Sequence, residues 1–322
     1  MSTLTILDLE LLHHYSISTS LTLSSNPIVR NYFLESVPQV GFSHPYVLYS
    51  LLALAASHLA HFRPESRRYY YAHARARHTA ATSMATPLLA EISTTNMIPM
   101  YCFSIMTMFI AFASLRDEDN IPFHDDSVLP SWFALFHGVR TVLEANNGAI
   151  YSSSISFLFR HAEVERLWGS NQADLVALIR FQDFIGESTS EGEEARQLLL
   201  GVFQDLRRSF YFFYDEDLGN EAKIRSLFTW LYRIPNDFLS LVRHSNSKAL
   251  CILAFFCVLL HRVEYNWWFQ GWGTHLIERI YTALDDGHRF WIKWPTQEIG
   301  WMPKRETSQL PHRTVSNTSP TL

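Results

Sequence analysis

The sequence predicts an all-α fold, an irregular multi-helix bundle around a central apolar helix pair. Three observations lead there. The stretches 97–115 and 249–260 are apolar on every helical face, as helices are when protein surrounds them. Most of the remaining chain repeats apolar residues at three- and four-residue spacing between Pro, Gly and Asn breaks. No convincing period-two strand, dinucleotide-binding glycine pattern or phosphate-binding loop occurs. With 322 residues, 48% hydrophobic and only 18% charged, the chain has ample material for a core. The helical domain is expected over residues 1–302. The polar, unpatterned run 303–322 is expected to be a disordered tail.

Taken in order, residues 4–23 read as a helix carrying Leu9, Leu12, Tyr15 and Leu21, with Ile6 nearby. Asn26-Pro27 starts a short helix through Ile28, Tyr32, Phe33 and Val37, expected to stop at Pro38. Ser43-His44-Pro45 opens a nearly all-apolar helix that Pro64 breaks. Residues 65–92 follow as one long helix with a basic, aromatic first half. After the apolar stretch 97–115 comes an acidic loop, 117–126. The segment 132–145 is an amphipathic helix closed by Asn146-Asn147-Gly148, a left-handed stop signal. Further helices are expected at 155–168, 174–185, 191–214 and 221–232, then a brief one at 236–244 capped by Asn236. The central stretch 249–273 is read as helix with an amphipathic second half, so that Cys257, Leu260, His261, Glu264 and Trp268 share one face. A last long helix spans 274–292 before Trp294-Pro295.

Composition narrows the function. The net charge of −5 argues against a phosphate-binding surface, so no direct DNA binding by this chain is expected. Nine Trp favour wide internal contacts or a pocket. Cys102, Cys251 and Cys257 are odd in number and sit in apolar runs, which fits a reducing compartment better than a disulfide framework. Asp8 and Glu10 stand where a secretion signal needs a basic segment and then an apolar one. Residues 97–115 are long enough to cross a bilayer, but Pro99, Ser104, Thr107 and Ser114 interrupt them and acidic residues follow. A buried core helix is the better reading, and no membrane span is expected.

Several constellations carry candidate chemistry. His58 and His61 lie one turn apart with Glu65 beyond, but zinc needs three or four converging ligands, so no metal site is assigned. The acidic runs 117–119, 125–126 and 215–217 could hold magnesium and a diphosphate, as in helical terpenoid cyclases. Asn236-Asp237-x-x-Ser240 begins the partner motif of such enzymes, yet His244 stands where Glu belongs, and solvated loops explain the acidic runs better. Tyr69, Tyr70, Tyr71, His73, Arg75, Arg77 and His78 interleave rings with bases, readable as a nucleic-acid contact but better as a solvated helix face. His261 and Glu264 form an acid/base candidate pair if they line a cavity. A hydrogen-bonded core pair orienting Arg262 is the plainer alternative.

Several fragments in one order resemble the regulatory domain of fungal zinc-cluster transcription factors, of the sterol uptake control protein type. They include the opening residues 9–23 and the run 37–60 with its Phe42-Ser43-His44-Pro45. Tyr71-x-x-Ala74-x-x-x-His78-x-x-Ala81, Trp132-Phe133-x-Leu135-x-x-Gly138-Val139-Arg140 and residues 206–210 continue the likeness. The C-terminal fragments match best: Leu259-Leu260-His261-Arg262, Trp267-Trp268-x-x-Gly271-Trp272-Gly273, and Trp294-Pro295-x-x-Glu298-x-Gly300. The resemblance covers about residues 8–301. It implies an α-helical sensor that binds a sterol or other hydrophobic small molecule and controls transcription in the nucleus, or acts from the cytoplasm. The family's DNA reader needs a short basic segment with clustered cysteines around zinc, and three scattered cysteines cannot build it.

The resulting expectation is a regulatory domain acting through partners of the transcription machinery or as a homodimer. Its pocket is expected between 97–115 and 249–272, with Met106, Phe109, Phe256, Leu260, Trp268 and Trp272 as walls, His261 and Glu264 as orienting groups, and Gly271 and Gly273 as hinge. No cofactor is expected. The alternative is a cyclase or isomerase of fungal secondary metabolism, acting on a terpenoid or polyketide, that reuses the pocket. It would take His261 and Glu264 as acid/base, or magnesium at the acidic loops. A dimerising scaffold without ligand is the third reading.

Overall fold

The computed structural model describes residues 4–116, 132–159, 162–187 and 192–303, and these are helices and their connections, with no strand among them. The acidic loop 117–126 and the tail from 304 lie outside the described residues.

The first helix, α1 (Ile6–Ile17), opens on a capping box in which Thr5 and Asp8 satisfy each other's backbone donors. Asp8 is buried and also accepts from Arg77 Nη2 at 2.5 Å. This pairing fixes the rotation of α1. Of the expected apolar stripe, Tyr15 is buried and Leu12 packs against the core, whereas Leu9 and Leu21 are exposed; Leu11 is the further inward residue and Ile6 is exposed. Asn26 caps α2 (Pro27–Asn31) through Ile28 N–H at 2.9 Å, as its place before Pro27 suggests. The chain does not stop at Pro38. It widens into a π turn, Tyr32–Ser36, and runs on as α3 (Val37–Ser43). A proline lacks an N–H, and a widened turn at its entry lets the helical path continue without that bond.

Helix α4 (Pro45–Phe62) is buried along almost its whole length, with Ser50 and Ser57 donating back to the carbonyls of Tyr46 and Ala53. α5 (Arg67–Ala85) ends earlier than expected, because Pro87 converts 86–91 to a 3-10 turn. Its aromatic and basic half is only partly a solvated face. Tyr70 and Tyr71 are buried, Tyr71 OH donates to Ala113 O at 3.0 Å, and Arg77 lies 5.3 Å from the Tyr49 ring centre. α6 (Met97–Ala113) packs on α4 and is buried over most of its length.

The C-terminal part begins with α7 (Trp132–Gly148), where Gly148 takes φ +70° at the expected stop. Then come α8 (Ala162–Ser170), α9 (Val176–Glu187), α10 (Glu193–Tyr214) and α11 (Asn220–Arg233). Buried Arg207 of α10 ties down the connection before α9. Its guanidinium donates to Ala173 O, Gln182 Oε1 and Asp174 Oδ1. α12 (Asn236–Arg243) begins at Asn236 itself and turns by 105° into α13 (Ser247–Arg262), with Ser245 at φ 55° and Asn246 capping Ala249 N–H.

α13 is the best-shielded helix, with every residue from Ala249 to Leu260 at most 1% exposed. It ends at Arg262, earlier than expected, so Glu264 and Trp268 do not continue its face. A 3-10 turn, Trp267–Phe269, and Gly271 at φ +91° reverse the chain into α14 (Trp272–Ala283). The predicted last helix is broken at Leu284-Asp285 into α14 and α15 (Asp286–Arg289), and Trp294-Pro295 belongs to α16 (Lys293–Ile299). Among the described residues no single helix is long and apolar enough to cross a membrane; the bent pair α12–α13 passes by length and composition together. Burial of α13 accounts for that composition.

Candidate functional site

α6 presents two apolar faces. One packs on α4. On the other, Ile105, Met108 and Phe109 share a side at three- and four-residue spacing and border a cavity of 750 Å³. Phe136, Val139 and Leu143 of α7 form a second wall, and Ile224, Phe228 and Tyr232 of α11 a third. The loop before α2 contributes Leu23, α2 itself contributes Val29, and the segment around α8 contributes Leu158, Phe159 and Trp168. The volume lies within the range of small-molecule sites, and the largely apolar lining with a few polar groups is their usual chemistry.

The polar groups gather at two places. At one, Glu221 is fully engaged. Oε1 accepts from Arg225 Nε at 2.8 Å, and Oε2 accepts from the hydroxyls of Ser24 at 3.2 Å and Ser25 at 3.0 Å. At the other, Arg208 and Arg233 both reach Asp205, at 2.5 and 2.9 Å. Burial, and then a hydrogen bond with Tyr151, push the Tyr232 phenol well above its ordinary range, so it remains a neutral wall group.

Of the residues expected to line a pocket, Phe109 borders this cavity. Trp268 stands one layer behind it, its ring 4.9 Å from Phe109 and stacked on Phe228 at 6.2 Å with 9° between planes. Trp272 donates its indole N–H to Phe112 O at 2.7 Å, fastening the loop after α13 to α6. Phe256 packs between Trp230 at 4.5 Å and Phe133 at 6.3 Å, and Met106 and Leu260 are wholly buried. Trp268, Phe269 and Trp272 thus pack against Phe109 and Phe112 of α6, Trp267 lies against His58 and His61 of α4, and the cavity is walled by α6 together with α7 and α11.

His261 and Glu264 meet at the corner between α13 and α14, off the cavity wall. His261 Nδ1 is 3.4 Å from Glu264 Oε2, close enough for an ion pair but without hydrogen-bond alignment. Glu264 Oε1 accepts Gly273 N–H at 3.2 Å in the first turn of α14, where a carboxylate complements the helix dipole. Arg262 is held elsewhere, by Tyr214 OH at 2.8 Å and Glu298 at 3.0 Å. Gly271 holds the left-handed turn. Gly273 packs so closely on α13 that a Cβ there would stand 2.8 Å from His261 Cβ.

The histidine pair on α4 has partners of another kind. His58 Nδ1 is 3.0 Å from both His14 Nε2 and Thr19 Oγ1, with Trp267 against its ring, and burial followed by the neighbouring His14 and His61 lowers its pKa to about 3. Among the described residues no group of three or more His, Cys, Asp or Glu is placed to hold a metal ion.

The α7 and α11 walls were hidden from a sequence reading because each is an ordinary amphipathic helix. Only their joint approach to α6 makes a cavity, and that approach is set by long-range packing. The spacing of Phe136, Val139 and Leu143 was the available signal, and it marks any core-facing helix equally well.

A Zn(2)-C6 fungal-type transcription factor of Gibberella zeae is 24% identical over 303 residues, covering 90% of this chain and 61% of the relative. The chain thus spans about three fifths of that relative's length. The family described as the fungal specific transcription factor domain matches residues 10–204, more than half of the 322 residues. A match of that extent shows that the chain belongs to the fungal specific transcription factor domain family.

Proposed function

We propose that this regulatory domain binds a sterol or another apolar small molecule in the cavity between α6, α7 and α11, and acts on transcription through protein partners. Lipid or secondary-metabolite genes are the expected targets and the nucleus the expected compartment. The observation that supports this reading is the 750 Å³ cavity itself, walled mainly by aliphatic and aromatic side chains. A route for its output also exists. Phe109 and Phe228 touch both the cavity and Trp268, so a guest that moves these rings acts directly on the loop between α13 and α14. There the left-handed Gly271 can serve as pivot and Gly273 as the contact that carries movement to α13. The cyclase or isomerase reading is less favoured, since His261 and Glu264 stand off the cavity and Glu264 is occupied at the start of α14.

The test uses dehydroergosterol, a fluorescent sterol, with the purified chain. Energy transfer from tryptophan to the sterol is expected, with Trp168 on the wall and Trp268 behind it. Val139→Trp and, independently, Ile105→Trp should weaken binding by about tenfold or more by filling the space, while far-UV circular dichroism stays helical. Unchanged sterol affinity in both folded variants would remove this cavity as the site.

A further inference from the structure

The two polar places at the cavity differ in their charge balance. Glu221 accepts from the Arg225 guanidinium, and Ser24 and Ser25 complete the carboxylate's bonding. Around Asp205 one carboxylate faces two guanidiniums, those of Arg208 and Arg233, each through one nitrogen. Among the described residues that mouth therefore carries more guanidinium than carboxylate charge, and each guanidinium has further N–H donors in its planar fork. The side chains are 33% and 51% exposed, so the charge sits at the opening rather than in the apolar interior.

An independent feature adjoins it. The indole nitrogen of Trp168 is buried and has no hydrogen-bond partner, and Trp168 lines the same cavity. An indole N–H is only a donor, and a buried donor without an acceptor is costly. The Trp168 ring packs 6.2 Å from that of Phe212, one helical turn along α10 from Arg208. Among the described residues the cavity lining thus holds the guanidiniums of Arg208 and Arg233, which share the one Asp205 carboxylate, and the unpartnered Trp168 donor, while Phe33, Ile105 and Met108 give it apolar wall.

We propose that the guest is an apolar molecule ending in a carboxylate, its head group held at the mouth by Arg208 and Arg233 with the Trp168 N–H as a further donor, and its body lying along α6. This rests on the ligand-binding reading above. It departs from a sterol guest, whose hydroxyl would leave the surplus charge unanswered. Placing the anion at the half-exposed mouth avoids the large cost of burying an ionised group, and the two-arginine fork matches carboxylate geometry.

Palmitate and hexadecanol, which share a chain and differ in the head group, are the probes, titrated against the full chain by calorimetry. Palmitate is expected to bind about tenfold or more tightly than hexadecanol, the range of a charge-assisted hydrogen bond. The double variant Arg208→Gln/Arg233→Gln should bring palmitate down to the level of hexadecanol and leave hexadecanol unchanged. Trp168→Phe should weaken palmitate several-fold. If the double variant does not fold, Arg233→Gln alone, at the more exposed position, should at least halve the preference. Equal affinity for the two probes, or a preference that survives the arginine substitutions, would overturn the assignment. Absence of palmitate binding would overturn it too; if dehydroergosterol then still binds, the cavity reading stands without it, and if neither binds, both fall.

Discussion

Gly273 and Gly138 are both helical glycines, and their surroundings predict opposite effects of the same substitution. A Cβ at Gly273 would lie 2.8 Å from His261 Cβ and 3.0 Å from both Cys257 O and His261 Cα, closer than backbone atoms allow without moving α14 from α13. Gly273→Ala should cost about 1–3 kcal/mol, as overpacking does. Gly138 meets nothing within 4 Å, so Gly138→Ala should stabilise the protein by about 0.5–1 kcal/mol through helix propensity. Urea unfolding midpoints separate the two, and a Gly273→Ala protein as stable as the parent would show that α13 and α14 yield. Arg207 makes a second residue-scale case. Its replacement by Ala strands the buried Ala173 O and removes the partner of half-buried Gln182, and a loss of about 3 kcal/mol is expected by the same measurement. His58 gives a pH signature. Its pKa is lowered from 6.5 to about 3, so the native protein binds fewer protons than the unfolded chain between those values. Stability should therefore be full above about pH 6.5 and fall as the pH drops toward 3. His14, also lowered by burial, and His78, lowered to about 4, act in the same direction. His58→Gln should flatten this slope in urea titrations across the window, and an unaltered slope would assign the effect to other groups.

At the scale of elements, helix type was legible and helix boundaries were less so. The apolar residues at 249–260 are enough to announce a surrounded helix, because no rotation of it can place a polar face in water. Its end was not legible. Glu264 and Trp268 fit the spacing of a continued α13, yet Val263 already leaves the helix, and the turn that follows buries Trp267 against α4 and Trp268 and Phe269 against Phe112 of α6. In α1 the spacing favoured Leu9, yet Leu11 is the residue buried, on a helix whose Asp8 is held by the distant Arg77. Pro38 read as a stop because a proline removes one hydrogen bond, and the π turn before it was invisible to periodicity. Capping was readable at Asn26 but not at Asn236, which is the first residue of α12 and not its cap; at α13 the cap is Asn246. Asn246→Ala should accordingly lower stability by about 1 kcal/mol and Asn246→Asp should be nearly neutral, checked by thermal unfolding.

For the whole molecule, the binding reading makes a linked thermodynamic prediction. A guest that binds the native state alone raises stability by about 2.7 kcal/mol at a hundredfold excess over its Kd. A saturating ligand should thus raise Tm visibly in the parent, and Val139→Trp should abolish the rise while keeping the helical signal. A shift of equal size in that variant would place binding elsewhere. The fastening of Trp272 to Phe112 O makes the α13–α14 loop part of the same body as α6, which is why events at the cavity wall can be felt there. Removing that bond with Trp272→Phe should weaken the effect of ligand on the loop, readable as faster amide exchange at 263–271 in the bound state.

The amino-acid sequence by itself determined the helical class, the burial of α4, α6 and α13, several helix starts and the buried state of the cysteines, because periodicity, capping and composition act over a few turns of chain. Only the tertiary structure decided which side of α6 is empty. Met106 and Phe109 lie three residues apart on one helix, yet one is packed solid and the other borders a cavity. The difference comes from α7 and α11, whose side chains approach α6 without filling the volume between them. Such a void is a property of three distant segments at once, and no local pattern encodes it.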